Sequence, residues 1–287
     1  MATVIAAADV KKLRDQTGAG MMDCKAALAE ANGDFEEAIT ILRKKGLASA
    51  AKKAGRATNE GLIGRRLAAD HGSGTLVEVN CESDFVARTE DFQQLMADVL
   101  TEIERAGDAA NQAWLDDPDG PVKKRVAATI GKLGENMAVP RFVRYAGQGY
   151  VGQYIHPPGK IGVQVELAGV TPQIADRDEF KTLVNEIAMQ IAAASPSYAS
   201  RAEVPPAIVD HERSIYRAQV EGKPAQVIDK IVEGKLGSFY AQVVLPDQAY
   251  IREPKTTVAN LIASTGKTLG ANVSVTRFAR LKVGEGT

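Results

Sequence analysis

An α+β fold is predicted for this 287-residue chain on three observations. The first fifty residues are punctuated as short helices, with glycine or asparagine where the apolar periodicity stops. The middle carries a strand, turn, strand, connection and helix pattern twice, at one common offset and with no gap. After the second copy come two sequential helical runs separated by a Gly/Pro break. Helices segregated from short hairpins define α+β, where regular strand-helix alternation would define a parallel α/β sheet. At this length, two or three units with separate cores are expected.

Val10 and Leu13 mark a first helix, which stops at Thr17-Gly18-Ala19-Gly20, a turn that no helix would choose. Met21 to Ala31 forms a second, ended by Asn32-Gly33, whose access to positive φ suits a C-terminal cap. Asp34 opens a third with Glu37 three residues on, a capping-box arrangement, and Phe35, Ala38, Ile39 and Leu42 face inward until Gly46. Residues 1–47 therefore form a three-helix N-terminal domain that resembles the ubiquitin-associated type. That likeness is one of shape and says little about ligand. Residues 48–60, with Lys52, Lys53 and Arg56 among alanines, read as a solvated helical linker.

The repeat follows. Gly61-Leu62-Ile63-Gly64 matches Gly149-Tyr150-Val151-Gly152, and Val77 and Val79 match Val165 and Leu167. Phe92, Leu95, Val99 and Ile103 match Phe180, Leu183, Ile187 and Ile191 at the spacing of an amphipathic helix. Residues 61–146 and 147–287 are read as two related halves of a core, each a hairpin covered by a helix that buries its face. Between the copies, Val122 to Leu133 reads as a helix ending at Gly134-Glu135-Asn136, then a strand from Val139 to Tyr145. Pro205-Pro206 starts a helical run and Gly222-Lys223-Pro224 breaks it, so an antiparallel coiled-coil hairpin is inserted at about 200–238. Lys255 to Ser264 suggests one more helix, and alternation from Val273 to Val283 a closing strand.

A formal net charge of −1 argues against a broad electrostatic footprint on nucleic acid, so a protein partner or small ligand fits better. Two cysteines, Cys24 and Cys81, make neither a disulfide framework nor a multi-cysteine zinc site, which fits a reducing cytoplasm. The first residues lack a basic n-region, so no signal peptide is expected, and no apolar run is long enough to span a bilayer. His71, His156 and His211 are scattered without a second ligand at metal spacing. Gly72-Ser73-Gly74 and Ser264-Thr265-Gly266-Lys267-Thr268 fall short of a phosphate loop. No cofactor, metal or catalytic residue is expected.

The most informative segment is Cys81-Glu82-Ser83-Asp84-Phe85-Val86-Ala87-Arg88, where an acid and a large aromatic stand together as a half-buried strand gives way to a helix. Two readings compete. Ser83 or Asp84 caps the helix and Phe85 or Val86 staples its first turn, or the pair faces a partner. The repeat favours the second, since Val86-Ala87 has its counterpart in Ile174-Ala175 whereas Asp84-Phe85 falls opposite Pro172-Gln173.

The run Leu13-Arg14-Asp15-Gln16-Thr17-Gly18-Ala19-Gly20-Met21-Met22-Asp23-Cys24-Lys25, together with Glu78-Val79-Asn80-Cys81-Glu82-Ser83-Asp84-Phe85-Val86-Ala87, closely resembles the bacterial elongation factor Ts family. The likeness extends over nearly the whole chain through Lys132-Leu133-Gly134-Glu135-Asn136, Ile161-Gly162-Val163, the helical hairpin and Val283-Gly284-Glu285-Gly286. It implies a guanine-nucleotide exchange factor for elongation factor Tu. On that basis Phe85 is the wedge entering the partner's nucleotide domain, Asp84 perturbs the magnesium side, and Ser83 and Val86 shape the tip. Arg14, Met21 and Met22 resemble a patch that packs on a partner helix, and Leu133, Gly134 and His156 resemble further contacts; Met21 and Met22 as bundle core, and Leu133 as a helix-end hydrophobe, are the plainer readings. Ser83 stands where the family often has Thr, Lys25-Ala26 where Lys-Lys is common, and the helical module that follows the last strand in some members is not expected after Thr287. Two other classes remain: a protein-binding module built on the ubiquitin-associated-like domain, in which the tip has no role, and an enzyme using Cys81 or His156.

Overall fold

The computed structural model describes residues 5–147, 149–220, 222 and 224–285. Helices and sheets are segregated as the α+β class requires, and the described residues fall into two compact units. Lys223 of the helical-hairpin break and Gly286 of the terminal motif lie outside the described residues.

The first unit comprises residues within 1–64, 76–143 and 281–287. Its elements are α1 (Ala7–Thr17), α2 (Met21–Glu30), α3 (Phe35–Lys53), most of β1 (Glu60–Leu67), most of β2 (Ser73–Cys81), α4 (Asp84–Ala87), α5 (Glu90–Ala106), α6 (Gln112–Asp116), α7 (Pro121–Leu133) and most of β3 (Met137–Ala146). The local signals act as their chemistry dictates: α1 stops at Gly18 in the left-handed region, and the Asp34 carboxylate accepts from the Glu37 N–H at 2.9 Å to start α3. Leu13, Cys24, Ala27, Leu28 and Ala38 bury a small core between α1, α2 and α3. A larger core joins Val77 and Val79 of β2 to Phe92, Leu95, Val99 and Ile103 of α5, with Val126 and Ile130 of α7.

One expectation fails in this unit. Helix α3 does not stop at Gly46 but runs on to Lys53. Gly46 is buried, and a Cβ added at Gly131 of α7 would lie 3.1 Å from the Gly46 Cα. The glycine serves close packing of two helix backbones, a use that sequence punctuation cannot distinguish from a helix end.

The second unit, residues within 65–75 and 144–280, holds β4 (Tyr150–His156), β5 (Ile161–Ala168), α8 (Pro172–Ala175), α9 (Asp178–Ala194), α10 (Pro206–Ala218), α11 (Ala225–Val243), β6 (Ala249–Tyr250), β7 (Glu253–Thr257), α12 (Val258–Leu269) and most of β8 (Ser274–Lys282). Strands β4 and β5 pair antiparallel, with Gly152 opposite Val165. Val163, Val165 and Leu167 pack on Phe180, Leu183, Ile187 and Ile191 of α9. Helices α10 and α11 pack on each other through Val220, Val232 and Leu236, while Ile208, Ile215 and Val227 stay exposed. The helix expected from Lys255 begins only at Val258, where Thr257 caps it. Residues 253–257 instead pair with β6, consistent with the strand preference of Thr256 and Thr257.

The sheets have orders β1-β2-β3 and β4-β5-β8. The repeated Gly-x-x-Gly acquires a reason here. A Cβ at Gly61 or Gly149 would strike the carbonyl of Val79 or Leu167 on the neighbouring strand; one at Gly64 or Gly152 would strike Met96 or Val184 on the covering helix. Each central strand also buries a glutamate: Glu78 is bound by Arg141 at 2.8 Å and Glu166 by Arg277 at 2.6 Å. Among the described residues, no helix is long and apolar enough to cross a membrane.

Candidate functional site

Strand β2 delivers the chain to Cys81, and the next eight residues make one helical turn before α5 begins. Ser83 is extended, and its hydroxyl accepts from the Val86 N–H at 3.4 Å, capping α4. Thr89 caps α5 by accepting from the Phe92 N–H, and its own hydroxyl donates to the Val86 carbonyl at 2.8 Å. Val86 packs against the large core of the first unit and Ala87 is buried. Ser83, not Asp84, is the cap, and Val86, not Phe85, is the staple. Asp84 receives an Arg88 guanidinium at 2.7 Å on the surface.

Phe85 is left over. It is 77% exposed on a turn whose every neighbour is hydrogen-bonded or packed. Burying a Phe contributes about 1.5–3 kcal/mol, so the fold forgoes that gain to display the ring.

The turn is braced from a distant part of the sequence. Gly134, in the left-handed region, ends α7 and turns the chain so that Glu135 accepts from the Ser83 N–H at 3.0 Å and its hydroxyl at 2.6 Å. Glu82 answers by accepting from the Asn136 N–H at 2.6 Å and from Arg56 at 3.4 Å. The Asn136 N–H, then Arg56, hold the Glu82 carboxyl below the usual carboxylate range. In the sequence Glu135 stands out only as part of a motif; its partner lies 52 residues away, and no local pattern reports such a bond.

Burial pushes the Cys81 thiol up to about 12, with Glu135 and Glu60 adding to the rise. A thiol so held is protonated at neutral pH and is no nucleophile. His156, exposed at the end of β4 in the second unit, shares a 2.9 Å hydrogen bond with the Tyr154 hydroxyl. His71 stacks on Tyr150 in its hairpin turn. No group of three or more His, Cys, Asp or Glu able to hold a metal occurs among the described residues.

The other expected contact residues divide. Met21 and Met22 open α2 and are 55% and 73% exposed, which overturns the bundle-core alternative for them. Arg14 is partly exposed and pairs with Asp15 at 3.0 Å. Leu133 packs against the large core, as a helix-end hydrophobe does, and Gly134 is the left-handed residue beside the Glu135 brace.

The bonded turn of an α+β fold thus leaves one aromatic and one acid at the surface, the outline of a binding protein and not of a catalyst's pocket. Comparison with known proteins narrows the class. The family model described as elongation factor Ts matches residues 82–285. Elongation factor Ts of Clostridium acetobutylicum is 42% identical, over 99% of this chain and 94% of its own length. The proteins of that name from Lawsonia intracellularis and Aquifex aeolicus are also 42% identical, over 98% and 99% of this chain and 99% of theirs. The chain belongs to the elongation factor Ts family, whose name places it among the translation elongation factors. Membership implies nucleotide exchange on elongation factor Tu.

Proposed function

We propose that this chain binds GDP-bound elongation factor Tu and promotes GDP release by disturbing the magnesium and phosphate site, so that GTP can rebind. Phe85 is the wedge, Asp84 acts on the magnesium side, and Ser83 and Val86 set the shape of the tip. Arg14, Met21, Met22, Leu133, Gly134 and His156 add contacts. The exposed Phe85 on its braced turn carries this reading, because a folded protein gains nothing internally from that arrangement.

Magnesium and the phosphate-cradling loop hold a nucleotide in such partners, so displacing either removes binding energy from GDP. By linkage, whatever factor the exchange protein takes from GDP affinity, GDP takes from the affinity of the exchange protein. The work is done without making a bond and needs no cofactor. The complex forms with GDP-bound and nucleotide-free partner, in the cytoplasm, without nucleic acid or membrane. The scaffold is read as a ubiquitin-associated-like domain at 1–47, a linker at 48–60, and core halves at 61–146 and 147–287, the latter carrying a coiled-coil hairpin at about 200–238.

Stopped-flow release of fluorescent GDP from elongation factor Tu tests the reading. The intact protein should accelerate release, and Phe85→Ala should lower that acceleration by at least about 10-fold, the scale of an interface hot spot. Asp84→Ala should act in the same direction. No acceleration by intact, folded protein would sink the function; full activity in both variants would sink the residue roles.

A further inference from the structure

The bonds behind the tip form a crossed pair. Glu82 caps the backbone of Asn136, and its neighbour across the loops, Glu135, caps the backbone and hydroxyl of Ser83. Hydrogen bonds to an ionised acceptor are short, strong and directional, whereas apolar contact has no preferred angle. Ser83 in turn sets the direction of α4, because its hydroxyl also accepts from Val86. Phe85, exposed and on a single helical turn, inherits its orientation from that residue.

The second unit shows what the corner needs when nothing is displayed. Thr171 caps α8 by accepting from the Ile174 N–H, as Ser83 caps α4. Gly270-Ala271-Asn272 follows Leu269 at the end of α12 as Gly134-Glu135-Asn136 follows Leu133 at the end of α7, with φ of 67° at Gly270 and 79° at Gly134. Where the first corner has Glu82 and Glu135, the second has Val170 and Ala271, both packed against its hydrophobic core. Packing on the core therefore takes the place of the crossed carboxylates at this corner.

We propose that Glu135, seconded by Glu82, is a positioning residue for nucleotide exchange that fixes the angle at which Phe85 is presented. This rests on the exchange reading above. Glu135 touches no partner atom in the mechanism; it acts through Ser83 and α4 on the ring.

The test is release of fluorescent GDP from elongation factor Tu by the full-length protein over a range of concentrations, for Glu135→Ala, Glu135→Gln, Phe85→Ala and the Phe85→Ala/Glu135→Ala double variant, with thermal melting alongside. Glu135→Ala is expected to lower the saturating release rate about 10-fold, the order lost when a charge-assisted brace is removed. The half-saturating concentration should change little. Glu135→Gln, whose amide oxygen still accepts from the Ser83 N–H, should recover part of the rate. In the Phe85→Ala background, removing Glu135 should cost nothing further. A folded Glu135→Ala protein with the full saturating rate would overturn the proposal, as would an equal loss in both backgrounds, which marks a purely structural role. Should Glu135→Ala not fold, Glu82→Val/Glu135→Ala, which copies Val170 and Ala271, decides by the same two criteria. Full activity in Phe85→Ala would instead overturn the tip reading itself, and this proposal with it.

Discussion

The connection after β2 and the connection after β5 are built alike and finished differently. Each leaves a strand buried along nearly its whole length, makes one capped helical turn, and enters a long helix whose first buried residue is a phenylalanine, Phe92 or Phe180. One turn carries Asp84 and Phe85; the other carries Pro172 and Gln173. Features shared by both answer to the physics of a hairpin covered by a helix, and features found in one answer to something outside the fold.

The shared features should therefore cost stability on both sides when removed. Phe92→Ala and Phe180→Ala each delete a fully buried ring, and each should lose about 3–5 kcal/mol in urea unfolding. A large inequality would break the equivalence of the two corners. Glu78→Ala and Glu166→Ala come next, at about 1–3 kcal/mol, because the surviving arginines reach solvent and shed part of the penalty. Glu78 should cost more, since it also accepts from the Gly284 N–H at 2.9 Å while one Glu166 oxygen has no hydrogen-bond partner among the described residues.

Acid sharpens the contrast further. The Glu82 carboxyl is depressed in the folded state, so its contribution is present above the ordinary carboxylate range and is lost as pH falls through the folded value. The charged groups that face it are Arg56 and, more weakly, Lys53, and its first partner, the Asn136 N–H, does not titrate. The corner after β2 should loosen at acid pH before the corner at Val170, followed by hydrogen exchange at Ser83 and Asn136. Smallest of all, Ser83→Thr copies Thr171 and should change stability by less than about 0.5 kcal/mol. Gln173→Phe should likewise leave GDP release unchanged, since a ring without the crossed carboxylates has no fixed direction.

Much of this was legible in the residues because the signals were local. Asp34 with Glu37, Gly18, Pro206 and the paired glycines act over a few residues, and each does in three dimensions what its chemistry suggests. Local signals mislead where distant chain decides. Gly46 ends no helix because α7 packs on it, and Lys255 joins a strand because Ala249 and Tyr250 offer one. The tip was visible as Asp84-Phe85 by its misfit with the repeat, but its brace was not. Nothing in the composition around Glu135 says that Ser83 lies within 3.0 Å.

The bonds to Glu78 bear on how the molecule is made. Arg141 donates to the Lys282 carbonyl as well as to Glu78, and Gly284 caps the other Glu78 oxygen from 206 residues further along. The first unit is thus begun early and closed late, with a buried carboxylate waiting on chain 206 residues further along. Such long-range closure slows folding and prolongs exposure of the unfinished strand. A chain made from its N-terminus must therefore pass through residues 144–280, the bulk of the second unit, before the first can close.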